Sequence, residues 1–294
     1  MKIKISLGQR IFDIFNVLFM FVLMIVMFYP LWHVVIASVS DSNLLIGHMG
    51  LLLKPLGFSL KAYELMLENP MLVRGYANSI FIVVVGTALN VAFTALGAYV
   101  LSRDGYMLRK FFNILIVFTM YFGGGMIPMY LLISKTLHMN DSYWALLIPT
   151  LINTHHLIVM RTNFSSIPKS LEESAKLDGA GHWKIFTKII LPLSGAIVAV
   201  MTLYYSVGHW NAWFNANLFI KTREKYPLQL ILREILIVND TSSMTGGSDA
   251  ANEYSVAESV KYATTVVATV PILCIYPFVQ KHFVKGRMSG AVKG

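Results

Sequence analysis

The stretch that decides the fold reads Glu173-Ser174-Ala175-Lys176-Leu177-Asp178-Gly179-Ala180, and Ile189-Ile190-Leu191-Pro192 follows it. Residues 173–180 lie in a polar segment between two long apolar runs. Good helix formers fill 169–178, and Pro168 suits a first helical turn because its missing N–H is not needed there. Gly179 can take a positive φ angle and end that helix. The pattern predicts a short helix, a glycine turn and a second short helix that leads into the next apolar run.

The composition of the chain requires a membrane. Of its 294 residues, 56% are hydrophobic and 13% are charged, and the mean hydropathy is +0.61. A soluble core cannot account for so much apolar sequence, whereas helical spans of roughly 20 residues, each about 30 Å long, can. We predict an all-α, polytopic membrane protein. Its six transmembrane helices are predicted at about 11–36, 77–101, 111–133, 143–162, 189–213 and 263–284.

The first apolar run has a second interpretation as a cleaved signal peptide. It follows basic residues and precedes Ala37-Ser38, as such peptides do. It is about twice as long as a typical signal core, which favours a retained helix.

The distribution of lysine and arginine predicts the orientation. Six spans place both termini on one side, which then carries 15 of the 24 basic residues. Five of the remaining nine lie in the long 214–262 segment, and long loops count little in the positive-inside rule. We therefore expect both termini, the 102–110 loop and the 163–188 loop in the cytoplasm. The basic residues form no single patch with interleaved aromatics, so no nucleic-acid partner is expected.

Helix breakers interrupt three of the predicted spans. Proline and glycine weaken the helical hydrogen-bond ladder, and lipid cannot satisfy the freed backbone groups. Such helices usually pack inward, against protein or a wet cavity, although plain packing kinks are an equal alternative. The breakers are Gly123-Gly124-Gly125 with Pro128, then Pro149, and then Pro271 with Pro277.

The polar loop 163–192 resembles the EAA loop of the membrane-spanning subunits of ATP-binding-cassette (ABC) importers. The usual form of that loop is E-A-A-x-x-D-G-A with I-x-L-P downstream. The stretch from about Arg74 to Lys281 is similar to the type I permease domain of binding-protein-dependent importers, nearest to the maltose-type carbohydrate permeases. Three further segments are similar to permeases for complex oligosaccharides and polysaccharides: 122–128, Asn153-Thr154 and the C-terminal 290–294.

The resemblance implies a division of the chain and roles for residues of the loop. It implies a first helix with an external segment (1–73), a permease domain (74–281) and a cytoplasmic tail (282–294). In the family the short helix docks in a groove of the ATPase, so Glu173 would contact that groove and Gly179 would permit the turn. Ser174 departs from the usual alanine but is nearly as small. The other matching positions are Ala175, Asp178, Ala180, Leu191 and Pro192. An ordinary amphipathic loop with acidic caps is the alternative.

The resemblance also implies the partners. The chain has no Gly-x-x-x-x-Gly-Lys-[Ser/Thr] motif, so we expect no catalysis and no bound cofactor. ATP and Mg would be bound by two separate ATPase subunits. A second, non-identical permease, an extracytoplasmic binding protein and a carbohydrate substrate complete the expected assembly in a bacterial plasma membrane.

A polar and aromatic stretch near the end of the fifth predicted span suggests a substrate pathway. Aromatic rings can stack on the apolar faces of sugars, while Asn, His and Tyr side chains can bind their hydroxyls. An aromatic belt at the membrane interface is the competing interpretation. The candidate residues are Tyr204, Tyr205, Gly208, His209, Asn211, Trp213 and Asn215.

Three other functions compete with a sugar importer. A secondary transporter or channel would tend to carry ionisable residues inside its spans, and these spans are almost free of them. A membrane enzyme would need a nucleophile, a base and an orienting group together, and no such set stands out. An ABC permease for a non-sugar solute would share the same loop.

Overall fold

A computed structural model describes residues 6–105, 108–244 and 259–274. Within these ranges the chain is almost entirely helical and forms no strand, with one isolated antiparallel bridge between Ser40 and Phe58. The all-α prediction is therefore confirmed. The chain divides into two compact units, Met1–Asn69 with Leu232–Thr269 and Pro70–Ile231 with Val270–Gly294. The predicted tail 282–294 lies outside the described residues.

In the first unit, α1 (Leu7–Ser38) is long and apolar enough to cross a membrane. Ser6 begins it, because its hydroxyl accepts a hydrogen bond from the Gln9 N–H at 3.2 Å. Its end packs on the segment that follows, where the Tyr29 hydroxyl accepts from the Leu52 N–H at 3.0 Å. The helix agrees with the first predicted span. Two short helices follow: α2 (Ser42–Ile46) and α3 (Lys61–Leu67).

In the second unit, α4 (Pro70–Ser102) is the central helix and confirms an apolar helix at the second predicted span. Its buried face carries small and polar residues, including Gly86 and Thr94, which let neighbouring helices approach closely. A Cβ built on Gly75 would lie only 2.5 Å from Ile231 Cδ1, so no larger residue fits there without movement.

The third predicted span is broken where the glycine triplet stands. Helix α5 (Arg109–Tyr121) ends before it, and α6 (Met126–Leu131) begins after Gly125, whose φ is +87°. A π-helical turn, Leu132–Thr136, extends α6. The two pieces meet at 110°, so they form one broken span or a re-entrant loop.

The prediction of one continuous helix over 143–162 is wrong. The chain forms a single turn, α7 (Trp144–Leu147), and resumes helix only at α8 (Thr154–Ser165). Pro149 lies in the non-helical 148–153 segment, where it offers no N–H to a ladder. Asn153 then caps α8, because its side-chain oxygen accepts from the His156 N–H at 3.2 Å.

The fifth predicted span is also bent, and the bend follows the polar loop. Within the described residues, two continuous helices can cross a membrane, or up to four if each bent pair is one span. The helices of the loop and the bend are α9 (Lys169–Leu177), α10 (His182–Ile185), a π-helical turn (Phe186–Ile190), α11 (Leu191–Leu193) and, after an 82° bend, α12 (Gly195–Trp210). The remaining helices are α13 (Phe214–Phe219), a 3₁₀ turn (Arg223–Lys225), α14 (Leu228–Met244) and α15 (Ser259–Cys274).

Candidate functional site

The glycine turn of the polar loop is formed as predicted. Helix α9 ends at Leu177 with Asp178 as its C-cap, and Gly179 adopts a φ of +74°. The Gly179 N–H donates to the Lys176 carbonyl at 3.0 Å, and the Ala180 N–H donates to the Ala175 carbonyl at 2.9 Å. These two bonds form a Schellman motif, which satisfies carbonyls that a helix end would leave unpaired. The loop therefore turns at Gly179 through a hydrogen-bonded elbow.

One face of this elbow is open to solvent. Glu173, Ser174 and Asp178 are exposed, as is Pro192 further along, whereas Ala175, Ala180 and Leu191 are half-buried against the apolar core. Two large apolar side chains share the open face: Leu177 is 90% exposed and Trp183 is 68% exposed. Sequence reasoning did not select Leu177 or Trp183 as site residues. Exposed apolar groups among charges are typical of a surface that another protein covers.

The buried acid of α9 is Glu172, not the motif residue Glu173. Its carboxylate pairs with Arg103 at the end of α4 and with Lys176 at 3.1 Å. Arg103 also donates to the Phe164 carbonyl at 2.9 Å. Burial alone would raise the pKa of Glu172, but hydrogen bonds from Lys176 and Arg103 lower it below its usual value. This pairing joins α9 to α4. The sequence analysis selected Glu173 as a site residue and did not select Glu172.

A second ionic contact holds the start of α9. Asp104, which follows α4, pairs with both Lys169 and Arg109. Hydrogen bonds from Lys169 and then Arg109 lower the pKa of Asp104. At the other end of the loop, the Tyr99 hydroxyl and His182 Nδ1 are 3.2 Å apart. The polar loop is thus attached to the end of α4 at three places.

A cavity of about 390 Å³ lies in the second unit, between α4, the 148–153 break, α8, α12 and α13. Five of the predicted pathway residues line it: Tyr204, Tyr205, Gly208, His209 and Asn215. Two do not. The Asn211 side chain donates to the Val207 carbonyl at 3.0 Å, and the Trp213 ring packs beside Phe214.

The polar groups around the cavity form a connected set. Asn90 Nδ2 donates to the carbonyls of Thr150 and Leu151 at 2.6 and 2.8 Å, and its Oδ1 is 2.6 Å from His209 Nε2. Asn90 therefore satisfies two carbonyls that the helix break leaves without a partner within a helix. Asn90 is not among the pathway residues predicted from the sequence.

Aromatic side chains also line the cavity. The Tyr205 hydroxyl lies 2.8 Å from Thr94 Oγ1 and accepts from the Asn153 N–H at 3.1 Å. The His156 ring stacks on Tyr204 with centroids 5.5 Å apart, and its Nδ1 is buried without a hydrogen-bond partner among the described residues. His156 is not among the residues predicted from the sequence, and its place in the cavity lining was missed.

Comparison with known proteins settles the class of this chain. It is 42% identical over 293 residues to the polygalacturonan/rhamnogalacturonan transport system permease protein YtcP of Bacillus subtilis (strain 168), which covers 97% of this chain and 99% of that relative. This chain belongs to the permease subunits of sugar and polysaccharide ABC importers. The permease is also 40% identical to the protein LplC of the same organism, over 97% of this chain and 96% of LplC. No family model matches it.

A solved structure supports the same assignment for the permease fold. The crystal structure of a bacterial ABC transporter involved in the import of the acidic polysaccharide alginate contains a chain that matches with a TM-score of 0.85 and 31% identity. The match covers 95% of this permease and 98% of that chain. The family resemblance drawn from residues 173–192 is confirmed. The permease is a membrane transport subunit, and the roles of its individual residues stay predictions.

Proposed function

We propose that this permease forms half of the translocation pathway for an oligosaccharide or polysaccharide fragment, in an importer driven by ATP. Two separate ATPase subunits bind ATP and Mg, a second, non-identical permease supplies the other half, and an extracytoplasmic binding protein delivers the substrate. The observation that carries the proposal is the full-length similarity to a permease named for polygalacturonan and rhamnogalacturonan transport.

The proposed topology has six spans in a bacterial plasma membrane, with both termini in the cytoplasm. The excess of lysine and arginine in the termini and in the 102–110 and 163–188 segments supports this orientation. In that orientation α9 faces the cytoplasm, where an ATPase can reach it.

Helix α9 is the proposed coupling helix. Glu173 and Asp178 offer exposed carboxylates to the ATPase groove, and Leu177 adds an apolar anchor between them. The Schellman turn at Gly179 makes α9 and α10 move together. The Glu172–Arg103 pair then joins α9 to α4, and α4 carries Asn90 beside the cavity. A push on α9 is therefore carried along packed helices toward the cavity, as two-state coupling requires.

The cavity of about 390 Å³ is the proposed substrate pathway of this subunit. Tyr205 is buried with its hydroxyl bonded inside the protein, and His209 bonds to α4, which favours a pathway over a lipid-facing aromatic belt. No lysine, arginine, aspartate or glutamate is among the described residues that line it. The lining is thus suited to the hydroxyls and C–H faces of sugars, and fixed charge for uronate carboxylates would come from elsewhere in the assembly.

The test is reconstitution of the permease with its ATPase subunits, partner permease and binding protein. The readout is ATP hydrolysis stimulated by binding protein loaded with either trigalacturonate or maltotriose. Glu173→Ala should lower assembly with the ATPase or abolish stimulation. Ser174→Ala, which creates the usual alanine at a neighbouring exposed position, is the matched control and should leave both unchanged.

Two results would refute the proposal. If the wild-type permease bound no ATPase, the importer assignment would fail. If it bound the ATPase but neither sugar stimulated hydrolysis, while a non-sugar solute did, the carbohydrate substrate would be wrong.

A further inference from the structure

The orientation of the Asn90 amide follows from its neighbours. Its nitrogen lies 2.6 Å from the Thr150 carbonyl and 2.8 Å from the Leu151 carbonyl, and carbonyl oxygens only accept hydrogen bonds. The NH₂ group must therefore face the helix break. The Asn90 oxygen is then left to face His209, and an amide oxygen also only accepts.

The tautomer of His209 follows in turn. Its Nε2 is 2.6 Å from the Asn90 oxygen and must carry a hydrogen to make that bond. In a neutral imidazole the other nitrogen, Nδ1, is then an acceptor. Within residues 6–105, 108–244 and 259–274, no other hydrogen bond reaches this ring, and Nδ1 is not among the enclosed unpaired atoms.

The ring is held in this position from behind. A Cβ built on Gly86 of α4 would lie 2.6 Å from His209 Nε2 and 2.8 Å from Cε1, so that edge of the ring rests directly on α4. His209 is also part of the cavity lining. The ring therefore packs on α4 and lines the cavity. Its Nε2 is hydrogen-bonded to Asn90, and its Nδ1 makes no hydrogen bond within the described residues.

We propose that His209 Nδ1 accepts a hydrogen bond from a sugar hydroxyl in the cavity, and that Asn90 fixes this acceptor role by binding Nε2–H. The proposal rests on the proposed function, because it names an atom of the same pathway. Asn90 is a positioning residue, since it acts only through His209. Tyr204, which is 48% exposed and lines the same cavity, supplies a ring face for the apolar side of that sugar.

This arrangement makes a specific chemical demand on the substrate. An acceptor binds a sugar position that carries a free hydroxyl, whereas a deoxy or O-methylated position offers no hydrogen. Loss of one such bond weakens binding by roughly 5-fold, and more if the nitrogen is left unpaired.

Two variants at one position separate the acceptor from the shape of the ring. His209→Phe keeps a flat ring and removes both nitrogens. His209→Gln keeps an N–H donor for Asn90 and an adjacent oxygen acceptor. In proteoliposomes of the full importer, we expect His209→Phe to raise the half-saturating sugar concentration by roughly 5- to 50-fold, and His209→Gln to restore it to within about 3-fold of wild type.

A chemical measurement on the wild-type complex does not depend on any variant folding. Diethylpyrocarbonate modifies unprotonated imidazole nitrogens, and mass spectrometry of the digested protein reports each histidine. We expect His209 to be modified, and trigalacturonate or maltotriose, whichever the importer takes up, to protect it. His138, which is exposed and lies outside this cavity, should be modified with or without sugar.

The outcomes separate this inference from the proposed function. Uptake by wild type with an unchanged His209→Phe variant, or with His209 modified equally in the presence of sugar, overturns the acceptor role alone. Failure of wild type to take up either sugar overturns the proposed substrate class, and the acceptor role with it. Impaired uptake in His209→Phe, rescue in His209→Gln and protection by sugar together support the proposal.

Discussion

Loss of the Arg103 side chain should weaken the attachment of α9 to α4. The Arg103 and Glu172 side chains are only 14% and 10% exposed, and removing one partner of a buried ion pair typically costs about 3–5 kcal/mol. Lys176 remains 3.1 Å from Glu172 in the variant and offsets up to about 1 kcal/mol, because it is half exposed. We therefore expect Arg103→Ala to lower the free energy of unfolding by about 2–4 kcal/mol.

A double-mutant cycle isolates the pair. The free energy of unfolding is measured by denaturant titration of the purified permease in mixed micelles, for Arg103→Ala, Glu172→Ala and the double variant. The expected coupling energy is about 2 kcal/mol. Lys176→Ala is the matched control, since it removes the more exposed partner of the same carboxylate, and its cost should stay below about 1 kcal/mol.

Hydrogen exchange of residues 166–180 shows whether the loss is local. If the pair holds α9 in place, Arg103→Ala should speed amide exchange there by roughly 30-fold or more, since each 1.4 kcal/mol corresponds to a factor of ten. A coupling energy below about 0.5 kcal/mol, with unchanged exchange over 166–180, would refute the idea that this pair joins the coupling helix to α4.

Three further predictions concern single positions. Gly179→Ala should cost about 1–2 kcal/mol in thermal unfolding because its φ is +74°. Gly181→Ala, with a φ of −72° and equally open space, should cost less, because it loses only the preference for glycine over alanine at the N-cap of α10. Equal effects would contradict the Schellman turn. Gly86→Ala should displace the His209 ring and reduce sugar uptake. Gly97→Ala is the control and should reduce uptake less, because a Cβ built on Gly97 would meet only a Leu157 methyl group at 3.1 Å. A larger loss of uptake in Gly97→Ala would contradict the packing described for His209. Asp141 accepts from Thr222 and Lys225, which hold its pKa well below the usual value of about 3.9. Because the folded pKa of Asp141 is depressed, its contribution to stability is present above about pH 3.9 and is lost as pH falls through the lower folded value. Asp141→Asn should therefore cost about 1 kcal/mol at pH 7, and the difference in stability between wild type and variant should shrink below about pH 3.9. A pH-independent cost would contradict the assignment.

The features that local sequence controls could be predicted. The apolar runs at α1 and α4 are long enough to identify alone, and the glycine triplet breaks the third span because no other residue type tolerates that backbone so readily. The elbow of the polar loop was also predictable, because a helix former run followed by Gly179 specifies a Schellman end within a few residues.

The features that depend on residues far away in the chain could not be predicted from the sequence. Whether Glu172 or Glu173 is buried is decided by Arg103, 69 residues earlier in the chain. Whether Pro149 only kinks a helix or ends it depends on a donor for the freed carbonyls, and that donor is Asn90, 60 residues away. Single-sequence patterns carry no information on such pairings.

The bond from Asn90 to the broken segment also has a consequence for how the chain is made. In the proposed six-span topology, residues 148–153 would place in the bilayer carbonyls that their own helices cannot satisfy. Helix α4 precedes them in the chain, so in this topology Asn90 would already be in the membrane when residues 148–153 are inserted. The order of segments along the polypeptide thus provides the donor before the acceptors arrive. A circular permutant that begins between α4 and α5 would reverse this order and expose the break to lipid until the last helix is inserted.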